Sequence, residues 1–428
     1  MTGAVVRDSP GFTRKAFLRR SGGAGVALLG GSVWATAPTA ARARRRGARG
    51  DPPIRNLVIS CQENRSFDSY FGFAPQVQRR GFGPPAGFSQ PDAAGGAHPA
   101  FHRTALRSAD PRHSWGHAHL QYDGGRMDGF FRSSGEVALG YYTADELPFY
   151  YSLFDAPDAA LCATYFCSML GPSLPNRFYL MSGTSGGITT NGFCCSGIFD
   201  SGQWPIILDL LDDAGVTWRI YNRGGFDDVL DSDVENVALF WSRWAGDPRT
   251  LGTHDDYLHD CAAGTLPAVS WLIPSFTEQV DEHPPNDVTA GMRFQEQAIG
   301  ALRASPLFAR SAFVLTYDEH GGFFDHVAPP QVDAYGLGVR VPLWVISPML
   351  RRRGVVATRR PAEHASTLKL IERLHGLPTL ASRNHTFDDA TPAGPRHDTS
   401  GAPAPPRDGL SAISDLTGLF DLNPRGRA

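Results

Sequence analysis

Along the chain, short apolar runs alternate with segments whose apolar residues recur at helical spacing. The runs are NLVISC from Asn56, TWRIY at Thr217 to Tyr221, AVSWLI at Ala268 to Ile273, AFVLTYD at Ala312 to Asp318 and PLWVIS at Pro342 to Ser347. Between them the spacing predicts helices over Pro205 to Ala214, Met292 to Ala304 and Ala365 to Leu374, the last with Leu368, Ile371 and Leu374 on one face. This alternation predicts an α/β fold, a mostly parallel sheet covered by helices. Phe73 to Pro99, rich in Gly, Pro and Ala, reads as a long loop. Asn384 to Asp408 reads as a surface excursion with little packing, and LTGLFDL at Leu416 to Leu422 is expected to dock back.

The polar residues that end the runs raise the chemical question. The first run feeds into Gln62-Glu63-Asn64-Arg65, and the fourth ends on Asp318-Glu319 followed by two glycines that permit a tight turn. In parallel sheets, ligands sit beyond the carboxyl ends of the strands, where these groups would stand. Two like charges about 4 Å apart repel by roughly 4 kcal/mol at an effective dielectric of about 20. Either Asp318-Glu319 caps a surface turn, or Glu63, Asn64, Asp318 and Glu319 share a cation. Oxygen donors alone favour a hard divalent ion such as Ca²⁺, Mg²⁺ or Mn²⁺ over a thiolate zinc site.

In CSMLGPSLPNRFYLMSGTS, Pro175 suits the first turn of a helix and places Ser173 at its amino terminus, either as a plain cap or as a nucleophile whose proton affinity a metal lowers. Asn176 and Arg177 follow, to steady the turn or the substrate. His113, His283 and His326 each lie in a Pro-marked loop. Phosphoester cleavage needs donors for charged oxygens and a proton for the leaving alcohol.

Composition changes this picture in three ways. The first 43 residues read as an export signal: TRKAFLRR precedes a short, Gly-rich apolar stretch, and Ala41-Arg42-Ala43 offers a cleavage site. It resembles a twin-arginine signal, with Arg14-Lys15 in place of two arginines, and its apolar run is too short for a membrane span. Removing residues 1–43 takes away Arg7, Arg14, Lys15, Arg19, Arg20, Arg42 and Asp8, moving the formal charge from −3 to −8. That balance argues against a nucleic-acid-binding surface. Six cysteines, Cys61, Cys162, Cys167, Cys194, Cys195 and Cys261, allow disulfides in an exported protein but lack zinc-site spacing. Residues 44–53 form a basic lead-in, 54–422 a single domain and 423–428 a tail.

The motifs ENRSFDSYFG, HSW followed by GGRMDGF, GPSLPNR, HPP, TYDEHGGFFDHVAPP, VRVPLWVISP and EHASTLKLIE together resemble the bacterial phosphoesterases that include phosphatidylcholine-type phospholipases C and a related acid phosphatase. Plant non-specific phospholipases C are similar. The resemblance implies an alkaline-phosphatase-like fold, with the sheet covered by helices on both faces, and a covalent phospho-enzyme. Carried over by position, Glu63, Asn64, Asp318, Glu319 and Ser173 hold a divalent metal (Ca, Mg, Mn or Zn). Ser173 is also the nucleophile, His113 and His283 face the phosphoryl oxygens or the leaving group, and His326 touches substrate or braces its loop, while Asn176 and Arg177 steady the turn or the substrate. The phospholipases C usually carry threonine where Ser173 stands, the acid phosphatase serine. The acid phosphatase also has an Asp-His pair where Tyr221-Asn222 fall by approximate spacing. The chain ends without the extra carboxyl-terminal β domains of longer haemolytic relatives, so the expected membrane contact is at most transient.

The leading expectation is a secreted phospholipase C acting on a phosphatidylcholine-like lipid, and the runner-up is an acid phosphatase. A third is an exported calcium- and lipid-binding protein without catalysis, binding through Phe67, Tyr70, Phe323 and Phe324.

Overall fold

The computed structural model describes residues 51–191, 204–222, 235–383 and 405–422. The proposed signal, most of the lead-in, Cys194, Cys195, most of the 384–408 segment and the tail lie outside them.

Eight strands form the central sheet: β1 (Asn56–Gln62), β2 (Ala159–Cys162), β3 (Trp218–Asn222), β4 (Gly252–Thr253), β5 (Val269–Ile273), β6 (Ser311–Tyr317), β7 (Leu343–Ile346) and β8 (Gly354–Val356). Their spatial order is β8-β2-β7-β6-β1-β5-β3-β4. Every pairing is parallel except those of β7, which runs antiparallel to both β6 and β2. Successive side chains of a strand point to opposite faces, yet all seven residues of β1 and all seven of β6 are buried, so both faces are covered. Polar positions inside β1 find partners on neighbouring elements. Asn56 Nδ2 donates to the Leu266 and Pro267 carbonyls at 2.8 and 3.0 Å, and Ser60 Oγ accepts from Gln295 Nε2 at 2.9 Å.

The helices that bear on the site are α1 (Trp115–Tyr122), α2 (Ser173–Ser182), α3 (Ile207–Ala214), α4 (His254–Ala263), α5 (Val288–Ala304) and α6 (Ala365–His375). Helix α4 packs on α5, and α2 on α6. The periodicity gives α6 one apolar face; the structure buries every residue from Ala365 to Glu372. The carboxyl-terminal segment covers what would have been its polar side, where Lys369 Nζ donates to the Leu410 and Ile413 carbonyls at 2.6 and 2.8 Å.

Two expectations need correction, and the cysteine count leaves open a question that the structure answers for four of the six. The 73–99 segment is not one loop: it holds a helical turn, Pro75–Gln78, and an antiparallel pair, Ser89–Pro91 with Ala97–Pro99. Gln90 pins it, donating to the Met127 carbonyl at 2.8 Å and accepting from the Phe130 N–H at 3.1 Å. At the end of the 384–408 segment, Arg407 and Asp408 are buried rather than loosely packed. Arg407 Nη2 donates to Asp333 at 2.8 Å and to the Gly336 carbonyl at 2.7 Å, and such a charge-assisted fork holds a chain that composition alone would leave loose. The allowed disulfides do not form among the described cysteines: Cys61, Cys162, Cys167 and Cys261 are free and buried. They pack as small apolar side chains.

Candidate active site

Strands β1 and β6 run side by side in register, Asn56 opposite Ser311 through Gln62 opposite Tyr317. The Asp318 N–H continues the ladder to the Gln62 carbonyl at 3.0 Å. Register alone therefore sets Glu63-Asn64 beside Asp318-Glu319 at the carboxyl edge of the sheet. Asn64 has φ of 59°, which asparagine tolerates better than most residues, and its N–H donates to Asp318 Oδ1 at 3.0 Å. A β-carbon on Gly321 would lie 2.3 Å from the Asn64 carbonyl oxygen, and one on Gly322 2.6 Å from that of Arg112. The two glycines let the β6 turn pack directly on the β1 turn and on the loop that carries His113.

Helix α2 brings in the hydroxyl. Ser173 is its first residue, all ten of its residues are buried, and Ser173 Oγ donates to Glu63 Oε2 at 3.0 Å. Four residues on, along the same helix face, Arg177 donates to Glu63 Oε1 at 2.6 Å and to Asp318 Oδ2 at 3.3 Å. Burial pushes the Glu63 carboxyl well above its usual range despite Arg177. Burial also works against charge on Asp318, but Arg177 and the surrounding donors outweigh it and hold that carboxyl low.

Asn64 reports on what the cluster can hold. One end of its side-chain amide lies 3.2 Å from Glu63 Oε2 and 2.6 Å from Glu319 Oε1; the other lies 2.9 Å from His283 Nε2 and 3.5 Å from His113 Nε2. With nitrogen toward the carboxylates, these become hydrogen bonds. With oxygen there, three oxygens face one another without a proton, an arrangement that a cation between them would satisfy. Three buried carboxylates, an amide and a hydroxyl around one guanidinium thus form an all-oxygen donor set with surplus negative charge, which fits a hard divalent ion.

The two histidines face this ring. His113 Nδ1 bonds to the Pro111 carbonyl at 2.7 Å and His283 Nδ1 to the Pro284 carbonyl at 2.5 Å, which leaves each Nε2 directed at Asn64. Burial opposes charge on His113, yet Glu319, 3.8 Å away, and Asp110, 3.6 Å away, raise its proton affinity. Asp110, His113 and His283 each offer a ligand atom within 4.8 Å of the others, so this flank could also take a cation.

The structure brings Glu63, Asn64, Ser173, Arg177, Asp318, Glu319, His113 and His283 together. Three residues expected to contact substrate have protein partners. Asn176 is fully buried, with Oδ1 accepting from the Met169 N–H at 2.9 Å and Nδ2 donating to the Met169, Gly171 and Pro172 carbonyls at 3.1 to 3.2 Å. It braces the turn before Ser173. Replacing Asn176 with alanine is expected to cost about 2–4 kcal/mol, read as a lower denaturant midpoint, because several buried backbone groups lose their partner. Arg177 is 1% exposed and spends its guanidinium on the carboxylates behind the hydroxyl. His326 Nδ1 pairs with Asp68 at 2.5 Å, in a cluster with Asp325 where Arg340 donates to Asp68 at 2.8 Å and to Asp325 at 3.1 Å. That cluster could also offer metal ligands, but Arg340 and His326 already pair with its two carboxylates. The aromatic residues assigned to lipid binding, Phe67, Tyr70, Phe323 and Phe324, are at most 1% exposed and belong to the interior.

Two further histidines support the ring, and only their places in the DEHGG and EHAST motifs signalled them. His320 lies 3.1 Å from Glu319 Oε2 and bonds to Gln121 Oε1 at 2.7 Å. Burial pushes His364 down to about 4, so it is neutral; it bonds to the Asp318 carbonyl at 2.7 Å and to the Tyr165 hydroxyl at 2.9 Å. At the position expected for an Asp-His pair, Tyr221 donates to Asp260 at 2.7 Å, and Asn222 accepts from Asn236 at 3.2 Å.

Phospholipase C A of Mycobacterium tuberculosis is 33% identical over 90% of this chain and 85% of its own length. The non-hemolytic phospholipase C of Pseudomonas aeruginosa is 30% identical over 85% of this chain but only 60% of its own. A solved protein of the alkaline phosphatase superfamily from Vibrio parahaemolyticus aligns over 76% of this chain and 66% of that one, at 10% identity and a TM-score of 0.36. The Phosphoesterase family model matches residues 54–378, which include every residue of the ring just described, and the chain is a member of that family.

Proposed function

We propose that this protein is an exported, metal-dependent phosphoesterase of the phospholipase C type that cleaves a phosphatidylcholine-like lipid to diacylglycerol and a phosphorylated headgroup. The observation that carries this reading is Ser173 Oγ, at the amino terminus of α2 and 3.0 Å from Glu63 within a ring of buried carboxylates. A purely structural ion site has no need of a hydroxyl at the positive end of a helix dipole. The curated relatives named phospholipase C support a diester as substrate. Among the described residues no helix is long and apolar enough to cross a membrane.

Glu63, Asn64, Ser173, Asp318 and Glu319 would hold a divalent ion, which supplies neutralisation of phosphoryl charge and a lower proton affinity for the serine. Ser173 Oγ attacks phosphorus in line and its proton passes to the nearest acceptor, Glu63. The phosphorus–oxygen bond to the diacylglycerol alcohol breaks, and His113 and His283 between them donate to the nonbridging oxygens and protonate the leaving group. Water then attacks the phosphoserine. Its proton restores the histidine, Glu63 returns the proton to Ser173, and the phosphorylated headgroup leaves.

Turnover on a phosphocholine diester is expected to exceed that on the matching monoester by about tenfold or more, because the second phosphorus substituent adds binding energy to the transition state. Headgroup released from phosphatidylcholine vesicles measures the same preference on a lipid. Faster monoester cleavage would move the assignment to an acid phosphatase.

A further inference from the structure

We infer that Glu282 is a positioning residue that holds His283 in register with the metal-ligating strand ends; this rests on the phosphoesterase reading above. Its carboxylate is completely buried and accepts from Tyr150 at 2.5 Å, Tyr70 at 2.6 Å, Tyr317 at 2.9 Å and Gln62 at 3.1 Å. Two of these partners have special places in the sequence. Gln62 directly precedes Glu63, and Tyr317 directly precedes Asp318. The next residue after Glu282 is His283. One carboxylate thus links the two strand ends that carry the acidic ligands to the histidine that faces them.

Strands β1 and β6 are already fixed by their backbone ladder and do not need Glu282. The loop that carries His283 has no ladder. Besides His283 Nε2 facing Asn64, its ties to the site include the Glu63 N–H donating to the Asp281 carbonyl at 2.9 Å, Arg65 Nη2 donating to the Glu282 carbonyl at 2.6 Å, and the Glu282 carboxylate itself. Glu282 also adopts φ of 71°, strained for a side chain with a β-carbon, and a β-carbon on Gly291 of α5 would lie 2.2 Å from its Cγ. Burial pushes the carboxyl up to about 7 against the tyrosine hydrogen bonds. An apolar side chain could fill the same space without that burial cost, so the carboxylate is better explained by the geometry it enforces.

A double-mutant cycle on the full-length protein tests this. Glu282→Gln is expected to lower kcat on a phosphodiester by about 10–100-fold with KM changed less than about threefold, since a misplaced proton donor costs transition-state rather than ground-state binding. In the His283→Ala background the same change is expected to cost less than about twofold. Equal losses in both backgrounds, or wild-type kcat in Glu282→Gln, overturn the inference. If Glu282→Gln does not fold, Tyr150→Phe removes one donor, keeps the ring and should show the same dependence on His283. Wild-type kcat in His283→Ala would remove the histidine's role and this inference with it, whereas the broader reading stands or falls separately on Ser173→Ala.

Discussion

Ser173→Ala is expected to lower phosphodiester turnover by about 10³-fold or more while changing stability by no more than about 1 kcal/mol. The asymmetry follows from the geometry. Ser173 Oγ makes one described side-chain hydrogen bond, to Glu63 Oε2, and Glu63 keeps its 2.6 Å bond from Arg177 when the hydroxyl is gone. The fold therefore loses little. Chemistry loses its nucleophile, and water in its place lacks the orientation that α2 gives the hydroxyl. Ser173→Thr retains a hydroxyl at the same atom and should keep far more activity than the alanine variant. A steady-state assay with a chromogenic diester, beside denaturant midpoints for all three proteins, checks both halves of the expectation. An alanine variant within about tenfold of wild type would remove Ser173 from the reaction.

The second large effect concerns the cation. Exhaustive chelation is expected to reduce turnover by about 10²-fold or more, and adding back a divalent ion should restore it. Stability should follow the same ion. Binding at about 100 times Kd contributes about 2.7 kcal/mol, so chelation should lower the unfolding temperature of the wild type. Asp318→Asn separates the ion's contribution from that of the scaffold. Asp318 accepts from the Asn64 N–H, the Glu319 N–H and Arg177, and an asparagine oxygen can keep some of these bonds while one negative charge is lost. The variant should show little metal-dependent stabilisation. In chelator its deficit against the wild type should shrink, because the like-charge repulsion that helps raise the Glu63 carboxyl is relieved. Unchanged wild-type activity after chelation, with no shift in unfolding temperature, would count against a catalytic ion.

The sequence shows the strand ends but not the partners behind them. Glu63-Asn64 and Asp318-Glu319 stood out because charged groups follow apolar runs, and a parallel sheet makes that edge a binding edge. That the two runs are neighbours in register is a long-range fact, written nowhere in either segment. Arg177 shows the same boundary. Its spacing from Ser173 places both on one helix face, but spacing does not say whether a guanidinium faces substrate or counterbalances protein carboxylates. His326 sits in a loop as expected; Asp68, which engages it, lies far away along the chain. Strands β2, β4 and β8 are too short to display a two-residue period, and α4 buries few apolar positions, Tyr257 and Cys261 among them, so it gave no periodic signal. Glu282 was invisible for another reason: a glutamate beside a histidine in a Pro-rich loop looks solvated until the tyrosines close around it.

Mass spectrometry of the Ser173 peptide distinguishes a covalent path from direct attack by water. When turnover of a phosphodiester is quenched in acid, a gain of one phosphoryl group on Ser173 is expected, absent without substrate and absent from Ser173→Ala. Sustained turnover with that peptide unmodified at every quench time, or with the phosphoryl group on another residue, would contradict a covalent path through Ser173.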